Sequence, residues 1–193
     1  MGRYLYFITH PNVVISRDVP VQNWPLSELG RQRMKAGLTQ PWVKTLTSIY
    51  CSTEQKAIDG AGILAEHLSL KFNAVEALGE NDRSSTGFLP PVEFETMADA
   101  FFAQPETSVR GWERACDAQA RIVRAITQLA DTDSSAGSVA VVAHGAVGAL
   151  LYCHFSGQPI SRRWDQPRNN GGNYCRYPLP LGPAPSGWKP IDA

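Results

Sequence analysis

Short apolar runs alternate with longer segments of helical periodicity along most of the chain. Tyr4 to Ile8, Leu46 to Cys51, Phe72 to Ala77 and Val139 to Ala143 have the length of strands. The first and last lack polar alternation, as strands covered on both faces do. Between them lie segments of helical spacing. Ser27 predicts an N-cap for a helix over Glu28 to Leu38. Ser52 with Gln55 predicts a capping box for a helix running to Leu68, whose Ala57, Ala61, Leu64, Ala65 and Leu68 form a buried stripe. The longest helix is expected over Val109 to Ala130, with Trp112, Cys116, Ile122, Val123, Ile126 and Leu129 near one face and Arg110, Arg114, Arg121 and Arg124 solvated. An apolar helix follows His144 and runs to Phe155.

Proline and glycine punctuate the rest. Pro11, Pro20 and Pro25 mark an irregular loop. Gly87, Pro90, Pro91 and Pro105 bracket a short amphipathic helix that carries Phe94, Met97, Ala98, Phe101 and Phe102 on one face. This 84–108 segment is expected to be an insertion or lid, or to pack its aromatics on the core. Asn169-Asn170-Gly171-Gly172 precedes an edge strand near Tyr174 to Tyr177, and the remaining 180–193 segment reads as an extended tail.

This alternation predicts one α/β domain over 1–193, a three-layer sandwich with a mainly parallel central sheet, helices on both faces and a small helical insertion. Parallel strands end on one rim, where such sheets bind their ligands. His10, Ser52 with Lys56, Glu80 and His144 each follow a strand. Two imidazoles, a lysine and a carboxyl group on one rim suit phosphoryl transfer. Each has a plainer reading alone: a capping histidine, a solvated lysine, a loop glutamate.

Composition narrows the field. At 193 residues, with 43% hydrophobic and 19% charged residues, the chain is of ordinary globular type. Eighteen basic residues balance eighteen acidic ones, so no net field favours nucleic acid or a membrane surface. Cys51, Cys116, Cys153 and Cys175 form no C-x-x-C pair, and none has the arginine six positions on that a cysteine phosphatase loop requires. With no signal-peptide pattern, reduced thiols in the cytoplasm are expected. The chain lacks a Walker A loop, a G-x-G-x-x-G loop, a zinc-spaced cluster and a G-x-S-x-G elbow. His67 and His154 receive no role, and Glu113 reads as a helix-surface residue.

From Leu5 to about Leu179 the chain resembles the histidine phosphatase superfamily, also called phosphoglycerate mutase-like. The matching pieces are the strand ending at His10, Leu26-Ser27-Glu28-Leu29-Gly30 for L-[ST]-x-x-G, and Ser52 to Ala57 for S-x-x-x-R-A. Leu78-Gly79-Glu80 matches L-x-E, and Val141-Val142-Ala143-His144-Gly145 matches V-x-x-H-G. The resemblance implies that His10 is the nucleophile, that His144 binds and stabilises the phosphoryl group, and that Glu80, or less directly Asp82, supplies the leaving-group proton. It implies no metal and no organic cofactor.

Three departures stand at the pocket, at Thr9, Pro11 and Lys56. Thr9-His10-Pro11 replaces R-H-G, and Lys56 replaces the second arginine. Loss of one phosphoryl donor from a dry site costs about 2.7 to 4 kcal/mol of transition-state stabilisation. The phosphate-binding residues are then expected among Lys56, Thr9 and Asn12, with Arg17 and Arg83 as the cations able to replace the missing ones. The partner implied is a small phosphorylated substrate rather than nucleic acid or membrane, and a homo-oligomer is left open. The functions in play are a phosphatase acting on a small phosphomonoester through phospho-His10, a phosphomutase, and a non-catalytic module binding a phosphorylated ligand.

Overall fold

The computed structural model describes residues 2–182 and 187–193. Its apolar runs become strands: β1 (Arg3–Thr9), β2 (Leu46–Cys51), β3 (Phe72–Ala74) and β4 (Ser138–Ala143), joined by β5 (Asn173–Leu179) and β6 (Lys189–Pro190). One six-stranded sheet forms in the order β3-β2-β4-β1-β5-β6. The first four strands are mutually parallel, β5 runs antiparallel to β1, and β6 runs antiparallel to β5.

The helices are α1 (Glu28–Gly37), α2 (Gln55–Leu68), α3 (Pro91–Ala103), α4 (Ala115–Thr132) and α5 (Gly145–Phe155). Strand side chains alternate between two cores. Tyr6, Ile8, Ala140 and Val142 pack with Met34 of α1 and with Ala57, Ala61 and Leu64 of α2. Leu5, Phe7, Val139 and Val141 pack on the other face with Ile122 and Ile126 of α4 and with Val147 and Leu151 of α5. The expected mixed, mainly parallel α/β sheet with helices on both faces is therefore observed, because the central strands have no polar face to show to water.

Ser27 caps α1 as expected, accepting the Gly30 N–H at 3.1 Å. Four other local expectations give way to tertiary contacts. Ser52 forms no capping box: it continues the β2 ladder through its N–H to the Val142 carbonyl (3.0 Å), while Gln55 turns to Asp59. Helix α2 therefore begins at Gln55. The long helix begins at Ala115 rather than Val109, because Arg110 (φ 49°) and Gly111 (φ 83°) take left-handed conformations. This turn buries Trp112 against Phe94 and Phe101 of α3.

The third strand stops at Ala74, and Glu76–Leu78 forms a 3-10 turn. Among the described residues β6 pairs only with Asn173 and Tyr174, so from Cys175 onward β5 is the expected edge strand. The tail, expected only to be extended, docks on the domain. Ile191 is fully buried, its N–H bonds the Gly172 carbonyl at 2.9 Å, and a Cβ on Gly37 would come within 2.4 Å of its side chain. Residues 183–186 of the expected tail lie outside the described residues. The aromatic face of α3 forms a third core with Trp112, Ala115, Ala118, Ala149 and Leu150. Among the described residues no helix is long and apolar enough to cross a membrane.

Candidate active site

Parallel register brings the two histidines together. Thr9 pairs with Ala143, the last residues of β1 and β4, so the next residue of each strand carries an imidazole onto the same rim. The His10 N–H extends the ladder to the Ala143 carbonyl at 3.0 Å, and the two rings lie 5.3 Å apart in an edge-to-face arrangement. His10 Nδ1 lies 2.9 Å from the Pro11 carbonyl. A carbonyl only accepts, so Nδ1 carries the hydrogen and Nε2 keeps its lone pair. The loop before β5 passes directly beneath: a Cβ on Gly171 (φ 76°) would come within 2.1 Å of the His10 carbonyl oxygen. Only glycine permits that approach.

Burial keeps His10 neutral, pulling its pKa down to about 4, and the nearby Lys56 charge acts in the same direction. His144, the residue preceding α5, is fully buried, and burial holds its pKa well below the ordinary value. Neither of its ring nitrogens has a hydrogen-bond partner among the described residues.

Glu80 reaches the same place from the loop after β3. Its carboxylate accepts the Ala146 N–H at Oε2 and the Val147 N–H at Oε1, both at 3.1 Å, at the start of α5. These are N–H groups that no helical carbonyl can satisfy. Arg121, expected to be solvated, braces the loop from below. Its guanidinium donates to the carbonyls of Ala77, Gly79 and Glu80 and pairs with Glu113 at 2.7 Å. Glu113 also accepts the Asp82 N–H at 3.2 Å and lies outside α4, so it is not a helix-surface residue. Arg110, Arg114 and Arg124 are exposed, as are His67 and His154.

A cavity of about 600 Å³ opens over this rim, lined by His10, Asn12, Glu80 and Arg83 and walled by Phe94 and Trp112 among others. The phosphate-binding residues proposed from the sequence fall into distinct positions. Arg83 lines the cavity with its guanidinium stacked over Phe94 (5.1 Å) and Trp112 (5.7 Å). Asn12 lines it too, but its Oδ1 accepts from Arg33 at 3.0 Å. Arg17 is exposed over Phe88 and lines a second cavity of about 880 Å³, which shares Glu80, Asn81 and Arg83 with the first. Asp82 also lines the second cavity, and its Oδ1 accepts the Ser84 N–H at 2.8 Å.

Thr9 is fully buried, and its hydroxyl is engaged by Gln166 Oε1 (2.6 Å) and the Asn173 N–H (3.0 Å). It ties β1 to the start of β5 and does not line the cavity. Lys56 is buried and forms an ion pair with Glu54 as well as donating to the Val21 carbonyl at 2.9 Å.

Glu54 is the site residue that sequence reasoning did not single out. It precedes α2 without capping it, and its carboxylate meets Lys56, the Glu80 N–H (2.9 Å) and His144 Nε2 (3.3 Å). Burial pushes its pKa up, but the neighbouring His144 ring, the Lys56 ion pair and the Glu80 N–H outweigh burial and hold it at about 2. Glu54 lines the second cavity; Asp165, on the wall of the His10 cavity, was missed as well, and burial raises its pKa. Only their place after a strand or in a loop could have signalled either. The thiols are no alternative nucleophiles at Cys51 or Cys175, since burial pushes the first up to about 12 and the second higher.

Comparison with known proteins accords with this geometry. The model of the histidine phosphatase superfamily (branch 1) matches residues 5–175. Bacillus stearothermophilus YhfR is 26% identical, with 91% of this chain and 90% of that one covered and a TM-score of 0.73. The mycobacterial glucosyl-3-phosphoglycerate phosphatase superposes with a TM-score of 0.77 at 19% identity, covering 98% of this chain and 100% of that one. A structure described as mycobacterial hydrolase 2 gives 0.74 at 20% identity, with coverage of 91% and 81%. A search of curated proteins finds no match. With 5–175 matched and the paired histidines standing on one parallel rim, the chain belongs to the histidine phosphatase superfamily (branch 1).

Proposed function

We propose that the protein is a phosphomonoesterase that hydrolyses a small phosphorylated metabolite through a phosphohistidine on His10. The observation that carries this reading is the His10 tautomer. Held by the Pro11 carbonyl through Nδ1 and kept neutral by burial, the ring offers the Nε2 lone pair beside a cavity that Glu80 also lines. Nε2 attacks phosphorus as the bond to the leaving alcohol oxygen breaks, and that oxygen takes its proton from Glu80. Water then attacks phosphorus, the N–P bond breaks, and Glu80 takes the proton from the water. His144, buried 5.3 Å from His10, and Arg83 on the cavity wall supply positive or hydrogen-bonding partners to the phosphoryl oxygens. The cavity's aromatic wall leaves room for a substrate larger than the phosphoryl group alone. The similar mycobacterial structure is of a glucosyl-3-phosphoglycerate phosphatase that has also been solved with inorganic phosphate and with VO3.

Rapid-quench incubation with phosphorus-labelled phosphomonoesters tests the proposal. Label that is acid-labile and alkali-stable should appear on His10, and His10→Asn should remove it and lower turnover by about 10³-fold or more. Turnover above background with no such label would sink the mechanism. Transfer of the label to an acceptor alcohol instead of water would make the protein a mutase.

One observation favours a second reading, a phospho-ligand binder without turnover: Lys56, which replaces a family arginine, is already paired with Glu54. That reading requires ligand binding with no labelled intermediate, and binding that survives His10→Asn.

A further inference from the structure

We infer that Glu54 is an internal anion on the phosphoryl site, held by donors that would otherwise take phosphoryl oxygens, and that it sets how tightly the site binds a phosphorylated ligand. The inference rests on the reading of the His10 cavity given above. Two donors hold this carboxylate and an imidazole stands beside it. Lys56 Nζ pairs with Oε2, the Glu80 N–H donates to Oε1 at 2.9 Å, and His144 Nε2 stands 3.3 Å from Oε1. A cation, a backbone N–H and an imidazole are the materials of an anion pocket.

Glu54 has no competing structural duty as a helix cap: its side chain makes no cap bond, and the turn before α2 is held instead by Ser52 Oγ, which accepts the Glu54 N–H at 3.1 Å. Its carboxylate remains ionised throughout the working pH range, and its side chain is 14% exposed. His144 provides the independent observation. Its ring is fully buried with both nitrogens unsatisfied among the described residues, and the contact to Glu54 is too poorly aligned to count as a hydrogen bond. A buried imidazole in that state, its ring 5.3 Å from that of His10, has bonding capacity that the described residues do not use.

A phosphoryl dianion entering beside His10 therefore meets a neutralised lysine and a fixed carboxylate. Both effects weaken its binding, and in a partly dry site they act at short range. Removing the charge at Glu54 releases Lys56 and abolishes the repulsion together.

Calorimetric titration of the whole chain with inorganic phosphate tests this on wild type, Glu54→Gln and the double variant Glu54→Gln with Lys56→Gln. The glutamine keeps the size of the side chain and its acceptor for the Glu80 N–H. It should bind phosphate about tenfold tighter than wild type or better, and the double variant should give back most of that gain. Equal or weaker binding by Glu54→Gln, with wild type still binding, overturns the inference and leaves the site reading standing. A double variant that retains the full gain overturns it too, since Lys56 would then not be the donor released. No phosphate binding by either wild type or Glu54→Gln overturns the site reading and the inference together. Should Glu54→Gln not fold, Glu54→Asp replaces it: the shorter side chain withdraws the charge, so binding should tighten about threefold, and unchanged or weaker binding overturns the inference.

Discussion

At the scale of single residues the site depends on where protons and charges reside. His10 titrates near 4 instead of the ordinary 6.5, chiefly because its charged form is buried. The neutral ring is the attacking form, so the acid limb of kcat/KM that belongs to His10 should fall near pH 4, leaving the nucleophile competent well below pH 6.5. A limb near 6.5 traced to His10 would contradict this. The same shift has a consequence for stability. Between 6.5 and about 4 the unfolded chain binds the proton more readily than the folded one. The stability this group contributes is therefore complete above 6.5 and is lost as pH falls to about 4. Urea titrations at intervals across that window should show the midpoint falling with acid in wild type, and falling less in His10→Asn. Thr9 shows how a residue of the motif can acquire a different duty. In place of the family arginine stands a hydroxyl that stitches β1 to Asn173 and Gln166, so whatever cations serve the phosphoryl group come from elsewhere on the rim.

Among the elements, the loop between β3 and α3 is the one whose position is imposed from outside. It has no regular structure at Glu80, yet it is fixed from three directions: Arg121 of α4 below, Glu54 beside it, and the first N–H groups of α5 above. Replacing Arg121 by Met frees three carbonyls and leaves Glu113 without its partner. Because bonds to a guanidinium are charge-assisted, stability should fall by about 2 kcal/mol or more. Displacement of Glu80 should lower kcat by about tenfold or more with a smaller change in KM, readable in steady-state kinetics beside a thermal melt. An unchanged kcat in a destabilised protein would show that the brace serves folding alone. Helix periodicity predicted where α4 lies but not where it begins, because Trp112 is drawn out of the helix by the aromatic face of α3. The capping signal at Ser52 failed for a related reason. Its N–H had a sheet partner in Val142, and the ladder took precedence over the cap.

On the scale of the whole molecule the C-terminal segment is tied back to α1 and to the loop after His10. Arg33 of α1 donates to Asn12 and to the Asn169 carbonyl and pairs with Asp192, so the loop after His10, the turn before β5 and the docked tail share one guanidinium. Ile191, fully buried against α1, should cost about 2 to 5 kcal/mol on replacement by Ala. A lowered urea midpoint with an unchanged slope would show this, and a midpoint unmoved would mean that the tail does not hold the fold. The sequence by itself determined the α/β layering, the four parallel strands and the convergence of His10, Lys56, Glu80 and His144 on one rim. Apolar runs, helical spacing and the handedness of crossovers are local or general rules that need no partner to be known. Only the tertiary structure decided that Lys56 is paired with Glu54, that Arg121 supports Glu80, that Thr9 faces Asn173 and that β6 pairs with the start of β5. Each of these depends on which side chains the register and the packing bring within about 3 Å of one another, a choice set by burial and electrostatics between distant positions that no local pattern encodes.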